Sequence, residues 1–313
     1  MRAWYLPADT AARGLIFDEG RGRPISPEEV ADASLLLAKA KEAADQQGPE
    51  YALEVTLSDG ATRRYRGGMV WSPVRTEFVL REIAPTVPRF ESDDTSVPRH
   101  IRSWLAHGAL CAGGLVLIVG PVGSGKTTTA SATVVERLHA FGGLAMAVED
   151  PVEYKLAGAH GEGYCLQSEV GRGETYGEVL RRALRVYPPN NNNGMLFIGE
   201  VRDSAVAADA LLSGTNGHLV IATLHADDIA SGLRRLVTWG QERVGQGPAR
   251  DLLAASFRVA VAQRLENGVV RARVLQNIDY RASQSLAERI KQGDFDSLAA
   301  DLDAQRQIAR RTG

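Results

Sequence analysis

The sequence has little cysteine, no long apolar run and no leader-like N-terminus. Its two cysteines, Cys111 and Cys165, lie far apart and form no CxxC pair, which argues against a zinc site or a disulfide framework. The longest aliphatic run, residues 115–119, is far shorter than the roughly 20 apolar residues that a membrane-spanning helix needs. The N-terminus lacks the basic and then apolar segments of a signal peptide. We therefore expect a cytoplasmic protein.

The composition also shows no excess of charge of one sign and few aromatic residues. Lys and Arg number 36, Asp and Glu number 38, and aromatic residues make up 6% of the chain. Because this balance provides no overall attraction to nucleic acid or to anionic lipid, we expect no direct nucleic-acid binding. A hydrophobic fraction of 44% is ordinary for a soluble globular protein. From the length of 313 residues we expect about two domains.

We predict a small α+β domain over residues 1–84. Ser26 as a cap and Pro27 in the first turn predict the start of a helix of about 20 residues. Two alternating runs follow around a turn at residues 58–60, and a third run ends near residue 83. Alternation of this kind is typical of strands, so a three-stranded meander should pack against the helix.

A polar, acidic stretch with three prolines, residues 85–98, suits neither a regular helix nor a paired strand, and we predict that it links two domains. Beyond it, over residues 99–313, helical patterns alternate with four short apolar strands: LVLIV, LAMAVE, GMLFIGE and HLVIATLH. This alternation is typical of an α/β domain with a parallel sheet. Residues 251–265 have an amphipathic pattern that predicts a helix, followed by a hairpin turn at residues 266–268 and by two further helices.

The strongest motif is GPVGSGKT at residues 120–127, which has the spacing of a phosphate-binding loop between an apolar strand and a helix. Its glycines allow backbone amides to face phosphate oxygens at a helix N-terminus. Lys126 adds a positive charge for the outer phosphates, and the Thr127 hydroxyl is placed to bind Mg²⁺. The predicted nucleotide ligands are Gly120, Pro121, Val122, Gly123, Ser124, Gly125, Lys126, Thr127 and Thr128.

Acidic residues follow two other predicted strands, one acid after GMLFIG in the manner of a Walker B acid and three after LAMAV. Because the carboxyl ends of parallel strands share one edge of a sheet, these acids should lie near the phosphate loop and serve Mg²⁺ and water. His225 ends a further strand, where it can hydrogen-bond the outermost phosphate, whereas for His218, at the start of that strand, packing and function are equally good interpretations. The acids are Glu149, Asp150, Glu153 and Glu200.

Taken in order, GPVGSGKTTT, VEDPVEY, FIGEVRD and GHLVIATLHADD resemble the four boxes of the secretion ATPase superfamily, specifically the PilT-like motors of type IV pili and related secretion or conjugation systems. VLREIAPTVPRF is similar to the linker of this family, and LLAASFRVAVAQRL is similar to the family helix that ends in A-Q-x-L. The resemblance covers residues 65–265. It implies a PAS-like N-terminal domain, a RecA-like P-loop ATPase domain, ATP and Mg²⁺ as ligands, and a homo-hexameric ring.

The resemblance also implies roles for individual residues. Glu153 would position the attacking water, and Glu200 would support Mg²⁺ through a water molecule. Arg66 and Arg81, with Arg75 as a third candidate, would reach the γ-phosphate held by a neighbouring subunit. The motor would lie at the cytoplasmic side of the inner membrane through a platform protein of the pilus or secretion system. The implied catalytic residues are thus Glu153, Glu200, His225, Arg66 and Arg81, with Thr127 and Glu200 at the metal.

The sequence departs from the family at two places and leaves alternatives open. Residues 186–193, VYPPNNNN, are longer than the usual connection to the Walker B strand, and the C-terminal tail is shorter than in typical retraction motors. An extension motor is disfavoured, since extension motors usually have an added N-terminal domain and a four-cysteine metal site. A conjugation or type IV secretion ATPase is the main alternative to a retraction motor. A small-molecule kinase with a phosphate loop is the alternative from another class.

Overall fold

The computed structural model describes residues 2–18, 21–83, 86–90, 97–171, 173–187, 193–278 and 280–312, with the backbone alone for residues 280–284 and 306–312. The chain forms two compact units. The first comprises Met1–Thr86, Pro151–Lys155 and Val170–Glu174, and the second comprises Val87–Asp150, Leu156–Glu169 and Thr175–Gly313. The predicted domain boundaries stay predictions. Residues 84, 85 and 91–96 of the linker region and residues 188–192 of the predicted insertion lie outside the described residues.

In the first unit, six strands form one antiparallel sheet. In their order across the sheet, the strands are β3 (Arg21–Pro24), β2 (Leu15–Asp18), β1 (Arg2–Pro7), β6 (Thr76–Ile83), β5 (Thr62–Trp71) and β4 (Glu50–Thr56). The predicted helix and the predicted three-stranded meander, β4 to β6, are confirmed. The other three strands were not expected from the sequence, because β1 pairs with β6, which lies far from it along the chain, and short strands with distant partners have weak local patterns. The helix is α1 (Val30–Gln47).

Helix α1 is preceded by the cap that the sequence predicts. The backbone amide of Ser26 donates to the Glu29 carboxylate at 3.0 Å in a capping box, and a short 3-10 turn leads into the α-helix. Buried aliphatic residues of the helix, Leu36 among them, join Trp4 and Tyr65 of the sheet in one core. This core gives the first unit an interior of its own.

In the second unit, eight strands form a sheet, and its six inner strands are parallel. In their order across the sheet, the strands are β14 (Val269–Gln276), β13 (Phe257–Glu266), β7 (Gly114–Gly120), β12 (Leu219–His225), β11 (Met195–Ile198), β8 (Gly143–Glu149), β10 (Gly163–Glu169) and β9 (Gly158–His160). None of the helices in the described part of the chain has both the length and the apolar character that crossing a membrane requires. The helices are α2 (Arg99–Leu105), α3 (Lys126–Phe141), α4 (Tyr176–Leu184), α5 (Ser204–Thr215), α6 (Ile229–Val244), α7 (Gln246–Ser256), α8 (Tyr280–Gln292) and α9 (Leu298–Thr312).

The four strands predicted from apolar runs are confirmed as β7, β8, β11 and β12. The predicted hairpin is also confirmed, since Asn267 and Gly268 have the positive φ angles of 51° and 78° that suit a two-residue turn between β13 and β14. The helix predicted over residues 251–265 is wrong in its second half. Helix α7 ends at Ser256, and the β-branched residues that follow enter the sheet, where β13 pairs in parallel with β7.

Candidate nucleotide-binding site

The phosphate loop lies between β7 and α3. Strand β7 ends at Gly120 and helix α3 begins at Lys126, so the loop amides lie at a helix N-terminus, where the helix dipole favours an anion. Gly125, just before the helix, has a left-handed φ of 82°, which glycine adopts without strain. A Cβ atom on Gly120 would lie 2.2 Å from the carbonyl oxygen of Gln263, so only glycine fits against β13. The motif therefore has the strand, loop and helix geometry of a phosphate-binding site.

The ammonium group of Lys126 points back across this loop. Lys126 is 6% exposed, and its Nζ donates to the carbonyl oxygens of Gly120 at 2.9 Å and Pro121 at 2.8 Å. Nζ also lies 3.2 Å from Nδ1 of His225, the last residue of β12. Thr127 and Thr128 follow in the first turn of α3 and are partly exposed. A buried positive charge is thus held by carbonyl oxygens that phosphate oxygens can replace.

Gln263 of strand β13 supports the loop from the other side. Its Nε2 donates to the carbonyl oxygen of Ser124 at 2.7 Å, and Gln263 is 1% exposed. Among the described residues, neither Gln263 Oε1 nor Ser124 Oγ has a hydrogen-bond partner, although both atoms are buried. We did not include Gln263 among the predicted site residues. Gln263 is the glutamine of the A-Q-x-L pattern, which could have pointed to it. Only the pairing of β13 with β7, however, brings this glutamine to the phosphate loop.

Glu200 follows strand β11 and lies beside His225. Glu200 Oε1 is 2.8 Å from His225 Nε2, and Glu200 Oε2 accepts a hydrogen bond of 2.8 Å from Arg202 Nε. Arg202 also donates to Asp150, through Nη1 to Oδ2 at 3.3 Å and through Nη2 to the carbonyl oxygen at 3.0 Å. Both oxygens of the Glu200 carboxylate are therefore held in place. Arg202 was not predicted as a site residue, although it lies within FIGEVRD.

The three acids predicted after strand β8 have different surroundings. Glu149 is 1% exposed and accepts a hydrogen bond of 2.7 Å from Gln167 Nε2, so it holds β8 and β10 together inside the sheet. Asp150 accepts hydrogen bonds from Arg202. Glu153 belongs to the first unit, where its Oε1 lies 3.5 Å from Nη1 of Arg66. Glu149 is therefore a buried structural residue, whereas the side chains of Asp150 and Glu153 are partly exposed to solvent.

Arg66 and Arg81 lie directly opposite each other on the antiparallel strands β5 and β6. Cross-strand partners share one face of a sheet, and like charges in such a pair repel each other. Arg66 has an ion-pair partner in Glu153, whereas the exposed side chain of Arg81 has no hydrogen-bond or ion-pair partner among the described residues. Arg75, the third candidate, lies near the β5–β6 turn, where its Nε donates to Glu77 at 2.6 Å. The pair Arg66 and Arg81 is thus the better site for an anion.

His218 and the phosphate loop lie at opposite ends of the parallel strands of the second sheet. His218 precedes β12 at the amino ends of the parallel strands, whereas the loop follows the carboxyl end of β7. Its ring centroid is 4.6 Å from that of Tyr187, and burial lowers the pKa of the imidazole. These contacts favour a packing role for this histidine.

The surroundings of the loop fit a nucleotide together with Mg²⁺. An open cavity of about 380 Å³ borders residues 121–124 and is also lined by Asp227, Arg264 and Glu266. The described residues contain no group of three or more His, Cys, Asp or Glu side chains that could hold a metal ion alone. Mg²⁺ is usually held by few protein oxygens together with phosphates and water, and the Thr127 hydroxyl and Glu200 carboxylate are donors of that kind.

Comparison with known proteins identifies the family. Residues 33–292 match the family described as Type II/IV secretion system protein. The chain belongs to this family. The matched region begins within helix α1 and ends at the last residue of helix α8, so family membership rests on elements of both units and not on the phosphate loop alone.

Curated members of the family share part of their length with this chain. The Type II secretion system protein HxcR of Pseudomonas aeruginosa is 41% identical over 152 residues, which are 49% of this chain and 29% of HxcR. The uncharacterised protein YggR of Escherichia coli is 33% identical over 221 residues, which are 68% of this chain and 62% of YggR. The chain therefore spans less than two thirds of the length of each of these relatives.

Solved structures have the same fold. The pilus retraction motor PilT with bound ADP aligns with a TM-score of 0.72 at 22% identity, over 95% of this chain and 84% of PilT. The ATPase DotB of Legionella pneumophila aligns with a TM-score of 0.69 at 22% identity, over 98% of this chain and 88% of DotB. These alignments confirm the predicted mixed α/β fold class, with an N-terminal and a C-terminal domain.

Proposed function

We propose that this chain is the ATP-hydrolysing motor of a type IV pilus, of the retraction type, or of a related secretion apparatus. The observation that carries the proposal is the cluster of Lys126, His225 and Glu200 beside a loop that fits phosphate. A positive charge for the phosphates and an acid for the metal are groups that phosphoryl transfer uses. Two solved relatives, a pilus retraction motor with bound ADP and an ATPase, support adenine nucleotide as the ligand.

In the proposed reaction, residues 120–127 hold the phosphates of ATP. Loop amides and the N-terminus of α3 donate to phosphate oxygens, and Lys126 exchanges its two backbone carbonyl partners for the β- and γ-phosphates. Thr127 and, through water, Glu200 would hold Mg²⁺, which neutralises charge on the phosphates when it is bound. The open cavity beside the loop provides space for the nucleoside.

Glu153 is the proposed positioning group for the attacking water. Its ion pair with Arg66 is long at 3.5 Å, and both side chains are partly exposed, so the pair is weak and can open at little cost. Once Arg66 turns to a phosphate, the Glu153 oxygen that it contacted can accept a hydrogen bond from water. Orienting that water in line with the bond to be broken supplies much of the rate in a reaction of this kind.

Arg66 and Arg81 would complete the site of a neighbouring copy in a homo-hexameric ring. Their opposed guanidinium groups repel each other until an anion joins them, and a γ-phosphate is such an anion. Arginines in this role accelerate related reactions by about 10³ or more.

Hydrolysis would remove the γ-phosphate and release the tether between neighbouring copies. The N-terminal domain would then rotate about the linker at residues 85–98, and this movement would drive a platform protein at the inner membrane. The chain itself would be a peripheral component on the cytoplasmic side, in contact with protein and not with nucleic acid.

A conjugation or type IV secretion ATPase is the second candidate. The family description includes both type II and type IV systems, and the alignment with DotB covers nearly all of this chain. The same site would then move effector or DNA-transfer complexes instead of pilin. Pilin genes next to this gene would favour the first candidate, and relaxase or coupling-protein genes would favour the second.

Nucleotide binding and phosphate release by the purified protein test the proposal. Lys126→Ala should abolish ATP binding, because it removes the buried charge beside the loop, and Lys155→Ala is the matched control at an exposed lysine. Glu153→Gln should bind ATP normally and hydrolyse it at least about 100-fold more slowly. Hydrolysis at the normal rate by Glu153→Gln would remove the role assigned to that residue.

The oligomeric state decides whether the site is shared between copies. Light scattering with Mg²⁺ and ATP should show a hexamer. A monomer that binds ATP and is fully active at high dilution would contradict the shared site and favour a small-molecule kinase.

A further inference from the structure

Two tyrosines of the second unit hydrogen-bond to the backbone near the two ends of strand β11, one to its first residue and one to the residue that follows it. The hydroxyl of Tyr176, at the start of α4, donates to the carbonyl oxygen of Val148 and accepts from the backbone amide of Gly199 at 3.0 Å. The hydroxyl of Tyr187, beyond the end of α4, donates to the carbonyl oxygen of Met195. Burial raises the pKa of both tyrosines, so both hydroxyls remain protonated at neutral pH.

The backbone next to Glu200 is tied to both neighbouring strands. Gly199, directly before Glu200, donates from its amide to the carbonyl oxygen of Val148 at 2.9 Å, in addition to its bond with the tyrosine hydroxyl. The carbonyl oxygen of Gly199 accepts a hydrogen bond from Thr223 Oγ1 on β12. On the far side of Glu200, the amide of Val201 donates to the carbonyl oxygen of Thr223 at 2.9 Å. The backbone around Glu200 is thus held by contacts on the side of strand β8 and by contacts on the side of strand β12.

We propose that Tyr176 is a positioning residue for Glu200, and this rests on the proposed role of Glu200 in holding Mg²⁺. The pairing of β11 with β8 ends at Ile198, so the Val148 carbonyl and the Tyr176 hydroxyl are what hold the next residue, Gly199, on this side. A glycine is the residue whose backbone moves most readily once such contacts are lost.

The position of Glu200 matters because it determines where the carboxylate lies relative to the phosphates. A displacement of about 1 Å at a reacting centre can cost about 100-fold in rate. The side-chain contacts of Glu200 with His225 and Arg202 hold the carboxylate oxygens, and the backbone beside Glu200 must stay in place for both contacts to form together.

Tyr176→Phe tests the proposal, with Tyr187→Phe as the matched control. Each change removes one hydroxyl that donates to a backbone carbonyl of the same sheet and keeps the ring. In the nucleotide-free protein, Tyr176→Phe should accelerate hydrogen exchange of the Gly199 amide at least about 10-fold, whereas Tyr187→Phe should leave this amide unchanged.

Steady-state kinetics provide a second test. If Tyr176 only stabilised the fold, its substitution would not change the Mg²⁺ concentration that the enzyme requires. Tyr176→Phe should lower kcat about 10-fold, keep KM for ATP within about twofold and raise the Mg²⁺ concentration needed for half-maximal rate. Tyr187→Phe should keep kcat and the Mg²⁺ requirement. Thr223→Val, which removes the tether to β12 without changing side-chain volume greatly, should reproduce the pattern of Tyr176→Phe.

Three results would overturn the proposal: unchanged exchange at Gly199 in Tyr176→Phe, faster exchange with an unchanged kcat and Mg²⁺ requirement, or an equal loss of kcat in Tyr176→Phe and Tyr187→Phe. If the wild-type protein does not hydrolyse ATP, the proposed function fails. In that case, the exchange measurement still decides whether Tyr176 holds this backbone.

Discussion

His225 lies between Lys126 and Glu200, with its Nδ1 3.2 Å from Lys126 Nζ and its Nε2 2.8 Å from Glu200 Oε1. Because a lysine ammonium group can only donate, Nδ1 must accept, and the imidazole proton therefore lies on Nε2, which donates to the carboxylate. The imidazole thus connects the phosphate-binding lysine to the acid proposed for Mg²⁺. Movement of Lys126 toward a phosphate would leave Nδ1 of His225 free to receive another donor.

His225→Ala should separate nucleotide binding from hydrolysis. The change removes the connection between Lys126 and Glu200 but leaves the loop and its lysine intact, so ATP affinity should change by less than about fivefold while kcat falls at least about 10-fold. Fluorescent-nucleotide titration and phosphate release measure the two effects. His139→Ala, at an exposed position of helix α3, is the control. A variant with normal kcat would show that the imidazole only packs.

Glu200→Gln should keep ATP binding and abolish Mg²⁺-dependent hydrolysis. The amide retains the shape of the side chain but loses the negative charge that would support the metal, so we expect kcat to fall at least about 100-fold. Isothermal titration calorimetry with ATP, with and without Mg²⁺, measures binding. The gain in affinity that Mg²⁺ provides to the wild type should shrink in the variant. An unchanged Mg²⁺ dependence would place the ion elsewhere.

Arg81→Ala should lower kcat by about 10³ and leave ATP affinity within a few-fold, because the proposed arginine contacts only the γ-phosphate of a neighbouring copy. Arg13→Ala, with a side chain that is 73% exposed in the same unit, is the control and should keep both values. Phosphate release under saturating ATP measures the first effect.

Mixing variants decides whether Arg81 acts between copies. Arg81→Ala and Glu200→Gln are both expected to be inactive alone. In mixed rings, some sites would combine an intact Glu200 from one copy with an intact Arg81 from the next, so part of the activity should return. Mixtures that stay inactive, although mass spectrometry shows mixed rings, would contradict an arginine supplied by a neighbour.

Gln263→Leu should weaken ATP binding with little change in fold stability. The glutamine donates to the Ser124 carbonyl, but its own Oε1 is buried without a partner among the described residues, so leucine removes one hydrogen bond and one unsatisfied acceptor together. We expect ATP affinity to fall about 10-fold, which corresponds to about 1.4 kcal/mol, and the melting temperature to shift by only a few degrees. An unchanged affinity would show that the loop needs no support from β13.

The stability of the fold should decrease in alkaline solution. Burial, with nearby Glu149, raises the pKa of the Cys165 thiol to about 12, and burial also raises the pKa of Tyr65 to about 12. Groups whose pKa is raised by folding stabilise the native state fully below their unfolded-state pKa, and the contribution disappears as pH rises through the folded-state value. The free energy of unfolding should therefore fall between about pH 9 and about pH 12.

Chemical denaturation at several pH values measures this decrease. Cys165→Ala should show a smaller decrease above about pH 9, because it removes one of the groups whose pKa folding raises. In the native protein at about pH 8, a thiol reagent should modify the partly exposed Cys111 and not Cys165. Rapid modification of both thiols, or stability independent of alkaline pH, would contradict the assigned burial.

Several features of the site follow from the sequence because they depend on neighbouring residues. The phosphate loop needs three glycines, Lys126 and Thr127 in one short stretch between an apolar run and a helix, and all of these can be read along the chain. The same holds for Glu200 and His225, each of which follows or ends an apolar strand. Parallel strands then bring such positions to one edge of the sheet.

Other features depend on strand pairing and could not be read from local patterns. Residues 251–265 look like one amphipathic helix until pairing of β13 with β7 makes the second half a strand and brings Gln263 to the loop. Tyr176 likewise contacts Gly199 only because β8 and β11 are neighbours. The first three strands of the sheet in the first unit remained unpredicted for the same reason.

The sequence by itself determined that the chain has a phosphate loop, a parallel α/β domain, and an acid and a histidine at strand ends, because spacing and apolar periodicity are local properties. Only the tertiary structure decided that His225 lies between Lys126 and Glu200 and that Arg66 lies opposite Arg81. Those contacts depend on strand order and register, which are set by the burial of whole faces and not by any single segment.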